Sequence, residues 1–156
     1  MSATVGSESV HATCPGCGKT IRIPAGRLQD APRCPACRHG IFTGSPIALD
    51  DRSFDAFLSG NDLPVLVDFW APWCAPCRAF APVVEQAAQL LSSQAIIAKV
   101  NSDEAPTVSQ RHQIRSIPTI ALFKNGREVA RKTGSLPLSE LMRWLATMGI
   151  HRPSER

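Results

Sequence analysis

From residue 46 onward, the pattern of apolar and polar positions switches repeatedly between the period of strands and that of helices. IAL after Pro46 reads as a short strand. In DRSFDAFLS, Phe54, Phe57 and Leu58 fall at i, i+3 and i+4, the stripe of an amphipathic helix. PVLVDFW at residues 64–70 is nearly unbroken apolar text, which predicts a central strand covered on both faces. Residues 74–91 follow as a helix with Cys77, Ala81, Val84, Ala88 and Leu91 on one face, and Pro82 is expected to kink it. AIIAKV at residues 95–100 predicts another buried strand, and residues 102–112 a helix. TIALF and EVARK flank Asn125-Gly126, the strongest short hairpin signal. Leu138, Leu141, Met142 and Leu145 form the stripe of a last helix. Strands alternating with helices, closed by a hairpin and a helix, predict an α/β domain with a mixed sheet over residues 45–156.

The first 44 residues read differently. Residues 1–12 are small and polar and are expected to form a loose tail. From Cys14 to Phe42 there is no sustained period, only short pieces between glycines and prolines. About 30 residues cannot bury enough surface to fold without a staple. Gly44, Ser45 and Pro46 mark the boundary of a small N-terminal domain, residues 1–44.

Composition narrows the class. The chain has 156 residues and an ordinary hydrophobic fraction of 44%. No run approaches the roughly 20 apolar residues that span a bilayer, so no membrane association is expected. MSATVGSESVHATC has neither a basic segment nor an apolar stretch, which reads as no export signal and a cytoplasmic location. In a reducing compartment, paired cysteines are more often metal sites or catalytic groups than structural disulfides. The net charge of +4 is mild and concentrated at the front, where Lys19, Arg22, Arg27, Arg33 and Arg38 face only Glu8 and Asp30. A bound metal with four thiolates would neutralise most of that excess.

All 6 cysteines lie in Cys-x-x-Cys pairs. Cys14, Cys17, Cys34 and Cys37 have the spacing of a zinc site, and four thiolates close a tetrahedral Zn²⁺ with no open position. Gly16 and Gly18 suit a tight knuckle whose N–H groups face the sulfurs. Metal binding then supplies the folding energy that a missing core cannot. Two redox disulfides are the competing reading, and His11 and His39 are close enough in sequence to serve as substitute ligands.

Cys74 and Cys77 have no second pair to complete a metal site. They join the end of a buried strand to the start of a helix, where α/β sheets build sites. The helix N-terminus lowers the pKa of a thiol placed there, making Cys74 the nucleophile and Cys77, one turn in, its partner. Asp68, inside an apolar strand, is costly unless its pKa is raised or it is paired, and so is a functional candidate. Trp70 reads as core, whereas Trp73 follows a proline in a loop and suits a binding surface.

VLVDFWAPWCAPC, RSIPT at residues 115–119 and FKNG at residues 123–126 together resemble the thioredoxin family across about residues 46–148. With the four added cysteines, the chain is similar to the zinc-containing second type of bacterial thioredoxin. The resemblance implies a thioredoxin fold, with a mixed central sheet flanked by helices, preceded by a small zinc ribbon. It implies a protein-disulfide reductase, a monomer, whose Cys74–Cys77 dithiol is recharged by an NADPH-dependent flavoprotein, thioredoxin reductase. Cys74 would attack a substrate disulfide and Cys77 resolve the mixed disulfide. Asp68 would shuttle the proton of Cys77, with Lys99 near it. Pro118 would be a cis-proline, with Ile117 offering backbone groups to the substrate. Trp73, Ala75, Pro76 and Gly134 would line the substrate groove. Ala75 departs from the glycine usual in the family and adds a methyl beside the sulfurs, which bears on potential and substrate preference.

Two other readings compete. The ribbon could read nucleic acid or a protein through Arg22, Arg27, Arg33 and Arg38. Phe42 is its only aromatic, so it lacks a stacking platform and nucleic acid is not expected as a partner. Alternatively, peroxide could oxidise the zinc thiolates, release the metal and alter the reductase.

Overall fold

The computed structural model describes residues 8–153 and contains two sheets. The larger has five strands in the order β3-β5-β4-β6-β7. These are β3 (Ile47–Leu49), β4 (Val65–Trp70), β5 (Ile96–Asn101), β6 (Thr119–Lys124) and β7 (Arg127–Thr133). β3, β5 and β4 run parallel, whereas β6 and β7 are antiparallel to their neighbours. Among them pack α1 (Phe54–Ser59), α2 (Ala75–Leu90), α3 (Pro106–Arg111) and α4 (Leu138–Ala146). This is the expected mixed α/β fold with a helix-flanked sheet.

The near-continuous apolar text of β4 follows from its central place. Val65, Val67 and Phe69 enter a core with Phe54, Phe57 and Val108 of α1 and α3, while Leu66 enters a second core with α2 and α4. Period 2 therefore puts Asp68 and Trp70 on the α2 side. In β5, Ile97 enters the same core, so Lys99 also points that way. The Asn125-Gly126 hairpin forms with both residues at positive φ, 53° and 78°, as its turn type requires. Pro82 lies inside α2, which continues through it. The helix expected over residues 102–112 shrinks to α3. Residues 102–104 form a turn instead, and Pro106 opens the helix, where its missing N–H costs nothing. Asp51 caps that end by accepting from the N–H groups of Thr107 and Val108.

The N-terminal part is more regular than its sequence implied. β1 (Ser9–Thr13) and β2 (Thr20–Pro24) pair antiparallel, so residues 9–12 of the expected tail are strand; residues 1–7 lie outside the described region. The alternation that signals β2, with Ile21 and Ile23 buried between exposed neighbours, is only five residues long. Two knuckles repeat one hydrogen-bond pattern: Gly18 N–H donates to Cys14 C=O, and Arg38 N–H to Cys34 C=O. The equivalent residues both have positive φ, 81° at Gly18 and 70° at Arg38. A small core of Ala12, Cys14, Ile21, Ile23, Cys34 and Ile41 joins them.

The two parts are in contact. The β1 edge is covered by the loop after α1. Asp62 N–H donates to His11 C=O, His11 N–H to the Asp62 carboxylate, and Thr13 N–H to Asn61 Oδ1. Asn61 is buried and donates in turn to Phe57 C=O. Phe42 packs against both cores.

Candidate functional site

α2 begins at the carboxyl end of β4, and the turn between them holds Trp73 and Cys74. Cys74 is the N-cap, and Pro76 sits in the first turn where its lack of a donor is harmless. Cys77 N–H donates to Cys74 Sγ over 3.2 Å, so the sulfur occupies the place of a capping oxygen. That position directs unpaired helix N–H groups at Cys74 and stabilises its thiolate. Cys74 and Cys77 are joined as a disulfide, with Cα atoms 5.2 Å apart. Both are buried, Cys77 more than Cys74.

Across from them the Ile117–Pro118 peptide is cis, and the Ile117 carbonyl lies 3.7 Å from Cys74 Sγ. Gly134 N–H donates to Pro118 C=O and has φ 92°, a backbone that favours glycine. Trp73, Cys74, Ala75, Pro76 and Ile117 line an open groove of about 560 Å³ together with Ser102, Ile114 and Arg115. Trp73 is 68% exposed, an unusual position for so large an apolar ring. Its Nε1–H donates to the Asp103 carboxylate at 3.0 Å, which fixes the ring at the groove mouth. Arg78 donates to Pro72 C=O and steadies the same loop. Sequence reasoning missed Asp103 and Arg78, because neither stands in a motif and only the folded turn brings them to the loop.

Asp68 lies on the α2 side of β4 and is almost fully buried, and its Oδ1 has no hydrogen-bond partner. Burial pushes its carboxyl from the ordinary 3.8 up to about 7, and the Lys99 charge opposes the rise. Trp70, Ala71, Cys74 and Cys77 form one apolar cluster with Ile117, and Trp70 stands two residues beyond Asp68 on β4. The Lys99 ammonium lies over the Trp70 ring, 4.5 Å from the centroid. His112 is remote from this chemistry. It stacks among Phe54, Phe69 and Phe123, and burial lowers its pKa.

The other four cysteines converge. The Sγ atoms of Cys14, Cys17, Cys34 and Cys37 all lie within 4.8 Å of one another. Cys14 and Cys37 are 3.6 Å apart, and Cys17 and Cys34 3.7 Å. A tetrahedral metal with Zn–S bonds of about 2.3 Å wants sulfurs roughly 3.8 Å apart, so the cluster fits that donor set. The N–H groups of Gly16 and Cys17 donate to Cys14 Sγ, as a thiolate at a knuckle requires. The Cys37 N–H pulls the Cys34 thiol down to about 7. A Cβ at Gly16 would run into the His39 ring, so glycine is needed there for space. Neither alternative ligand joins the cluster: His11 Nδ1 pairs with Asp62, and His39 Nδ1 with the Gly40 carbonyl.

A family model described as Thioredoxin matches residues 45–147. Thioredoxin C-3 of Corynebacterium nephridii is 39% identical over 132 residues, covering 85% of this chain and 90% of its own length. That match is longer than the stretch from residue 45 to the end, so it extends into the N-terminal part. Thioredoxin 1 of Synechococcus elongatus is 48% identical over 94 residues, 60% of this chain and 88% of that protein. The thioredoxin of Rickettsia bellii is 44% identical over 95 residues, 61% of this chain and 90% of its own.

Proposed function

The chain belongs to the thioredoxin family and is a protein thiol–disulfide oxidoreductase; from that premise we propose that it works as a reductase of protein disulfides in the cytoplasm, of the zinc-containing second bacterial type. The observation that carries the reading is the Cys74–Cys77 disulfide at the start of α2, with Cys74 lining an open groove; the buried Asp68 on the α2 side of β4 supports it.

The steps follow from position. A substrate strand lies along the groove against Trp73 and Ile117, and Cys74, as thiolate, attacks one substrate sulfur. That sulfur bonds to Cys74 Sγ in a mixed disulfide, and the other substrate sulfur leaves as a thiolate and takes a proton. Asp68, with a carboxyl that titrates near neutrality, accepts the proton of Cys77. Cys77 then attacks Cys74 Sγ and expels the second substrate thiolate. Two electrons pass to the substrate, and the chain is left with the Cys74–Cys77 disulfide. An NADPH-dependent thioredoxin reductase restores the dithiol. Ala75 and Pro76 shape the groove floor, and Gly134 holds Pro118 in place. The N-terminal part acts as a small ribbon in which Cys14, Cys17, Cys34 and Cys37 would hold one Zn²⁺, whose contribution would be to close a fold with too little core of its own. No helix among the described residues is long and apolar enough to cross a membrane.

Insulin reduction with NADPH and a thioredoxin reductase tests the proposal. Cys74→Ser abolishes turnover, and Cys77→Ser accumulates a mixed disulfide through Cys74. Turnover persisting in Cys74→Ser, or a Cys77→Ser variant that traps nothing, overturns it.

A further inference from the structure

One edge of the N-terminal sheet is covered and the other is open. In β1–β2, Cys14 N–H donates to Lys19 C=O and Ala25 N–H to Glu8 C=O. Hydrogen-bonded pairs alternate along an antiparallel ladder. The register therefore makes Val10/Ile23 and Ala12/Ile21 the bonded pairs, and turns the backbone groups of the pairs His11/Arg22 and Thr13/Thr20 outward. On β1 the N–H and C=O of His11 are satisfied by Asp62 and the N–H of Thr13 by Asn61. On β2 the outward N–H and C=O groups of Thr20 and Arg22, and the C=O of Pro24, have no partner among the described residues.

A groove of about 450 Å³ lies at this strand, lined by residues 19–24 together with Arg27, Asp30, Pro32, Arg33 and Pro35. Its charged groups are Lys19, Arg22, Arg27, Arg33 and the single Asp30, which pairs with Arg27. Neither Lys19 nor Arg22 is paired with an acid there. We propose that this groove is a docking site for an acidic extended segment of a partner protein, which adds to β2 as a third strand. The backbone groups of Thr20 and Arg22 supply the ladder bonds, and Lys19, Arg22 and Arg33 meet the carboxylates. Lysine and proline on an edge also serve to discourage pairing, but such protection has no need of a groove lined by residues beyond the strand. The basic lining disfavours a second copy of the same edge. Residues 1–7 carry no acidic side chain, so complementarity points away from the chain's own start.

The test uses the full chain, ¹⁵N-labelled, and a peptide of about nine residues alternating glutamate and threonine. Binding should shift the amide signals of Thr20 and Arg22 and slow their exchange by at least about tenfold. The variant carrying Lys19→Glu and Arg22→Glu should bind at least about tenfold more weakly while reducing insulin at the parent rate. The lysine–threonine counterpart should not bind, and methylating the peptide's ladder N–H groups should abolish binding. No shift up to about 1 mM peptide, equal binding of the methylated peptide, the same shifts with single-stranded oligothymidylate, or protection of these amides by self-association without peptide would each overturn the proposal.

Discussion

Lys99 stands opposite Asp68 in the β4–β5 ladder, yet its ammonium rests over the Trp70 ring, 4.5 Å from the centroid. Asp68, Trp70 and Lys99 share the α2 face, with Trp70 two residues beyond Asp68 on the same strand. The ring holds the cation near the carboxylate, where its charge favours ionisation without closing a direct bond to Oδ1. Burial outweighs that charge, and the carboxyl rises to about 7. A proton acceptor of this kind changes state near neutral pH.

The raised carboxyl makes stability depend on pH in a definite direction. Between the ordinary value of 3.8 and about 7, the folded chain keeps a proton that the unfolded chain has lost. The advantage of the neutral form is therefore complete below the lower value, and is lost as pH rises through the higher one. Asp68→Asn removes the buried charge, so it should stabilise the oxidised protein by about 2–4 kcal/mol at alkaline pH and hardly at all in acid. Urea unfolding at both extremes measures this. Equal effects at both would contradict the assignment. The same variant should lose the step near neutrality in the pH profile of disulfide reduction.

Lys99→Met takes away the one charge that opposes burial. The Asp68 titration should move upward, and the pH profile of reduction should move with it toward alkaline values. Turnover at high pH, where the carboxyl is ionised in both proteins, should differ little. A profile that stays in place would show that the Lys99 charge does not reach the carboxylate.

The larger sheet and its helices were legible because their signals are local. VLVDFW has no polar break except Asp68, and the structure buries that exception with the rest of the strand. The Cys74–Cys77 role followed from strand-then-helix order, and the four-cysteine cluster from spacing alone. Where the reading failed, the cause lay in contacts between distant residues. β1 was taken for tail because SVHAT is regular only when paired with TIRIP. The contact of Lys99 with Trp70 carried no sequence signal, because only the folded register brings the two together. Asp103 and Asn61 carried no signal at all, since their partners lie 30 and 48 residues away.

The small N-terminal core contains two of the four clustered cysteines, Cys14 and Cys34, so ligands of the proposed zinc are also part of the packing. Cys34→Ser, or treatment with a chelator that strips the proposed zinc, should therefore unfold this part. The signals of β1 and β2 should collapse toward random-coil positions. Insulin reduction should persist within about threefold, because the groove and Asp68 belong to the other sheet. Elemental analysis should find one zinc per chain in the parent and none in the variant. Retained β1–β2 signals after full metal loss would refute a structural role.

Gly60 tests how the two parts are joined. Its φ of −88° is ordinary, so glycine is required there by space and not by backbone geometry. A Cβ built on it collides with Thr13 Oγ1 and comes within 2.9 Å of Thr20 Oγ1, on the strands that face this loop. Thr13 is buried, and its hydroxyl cannot swing away freely. Gly60→Ala should push β1 off the loop and lengthen the bonds from Thr13 N–H to Asn61 and from Asp62 N–H to His11. The expected cost is about 1–3 kcal/mol, the usual range for an overpacked contact. Exchange at the Thr13 and Asp62 amides should quicken while that of β4 and β6 stays slow. Thr13→Ala should rescue the variant. It removes the closest clashing atom, and the Thr13 hydroxyl has no hydrogen-bond partner to lose. If Gly60→Ala leaves these amides protected, the contact is not what holds the sheet in place. If Thr13→Ala fails to rescue, the collision is not with that hydroxyl.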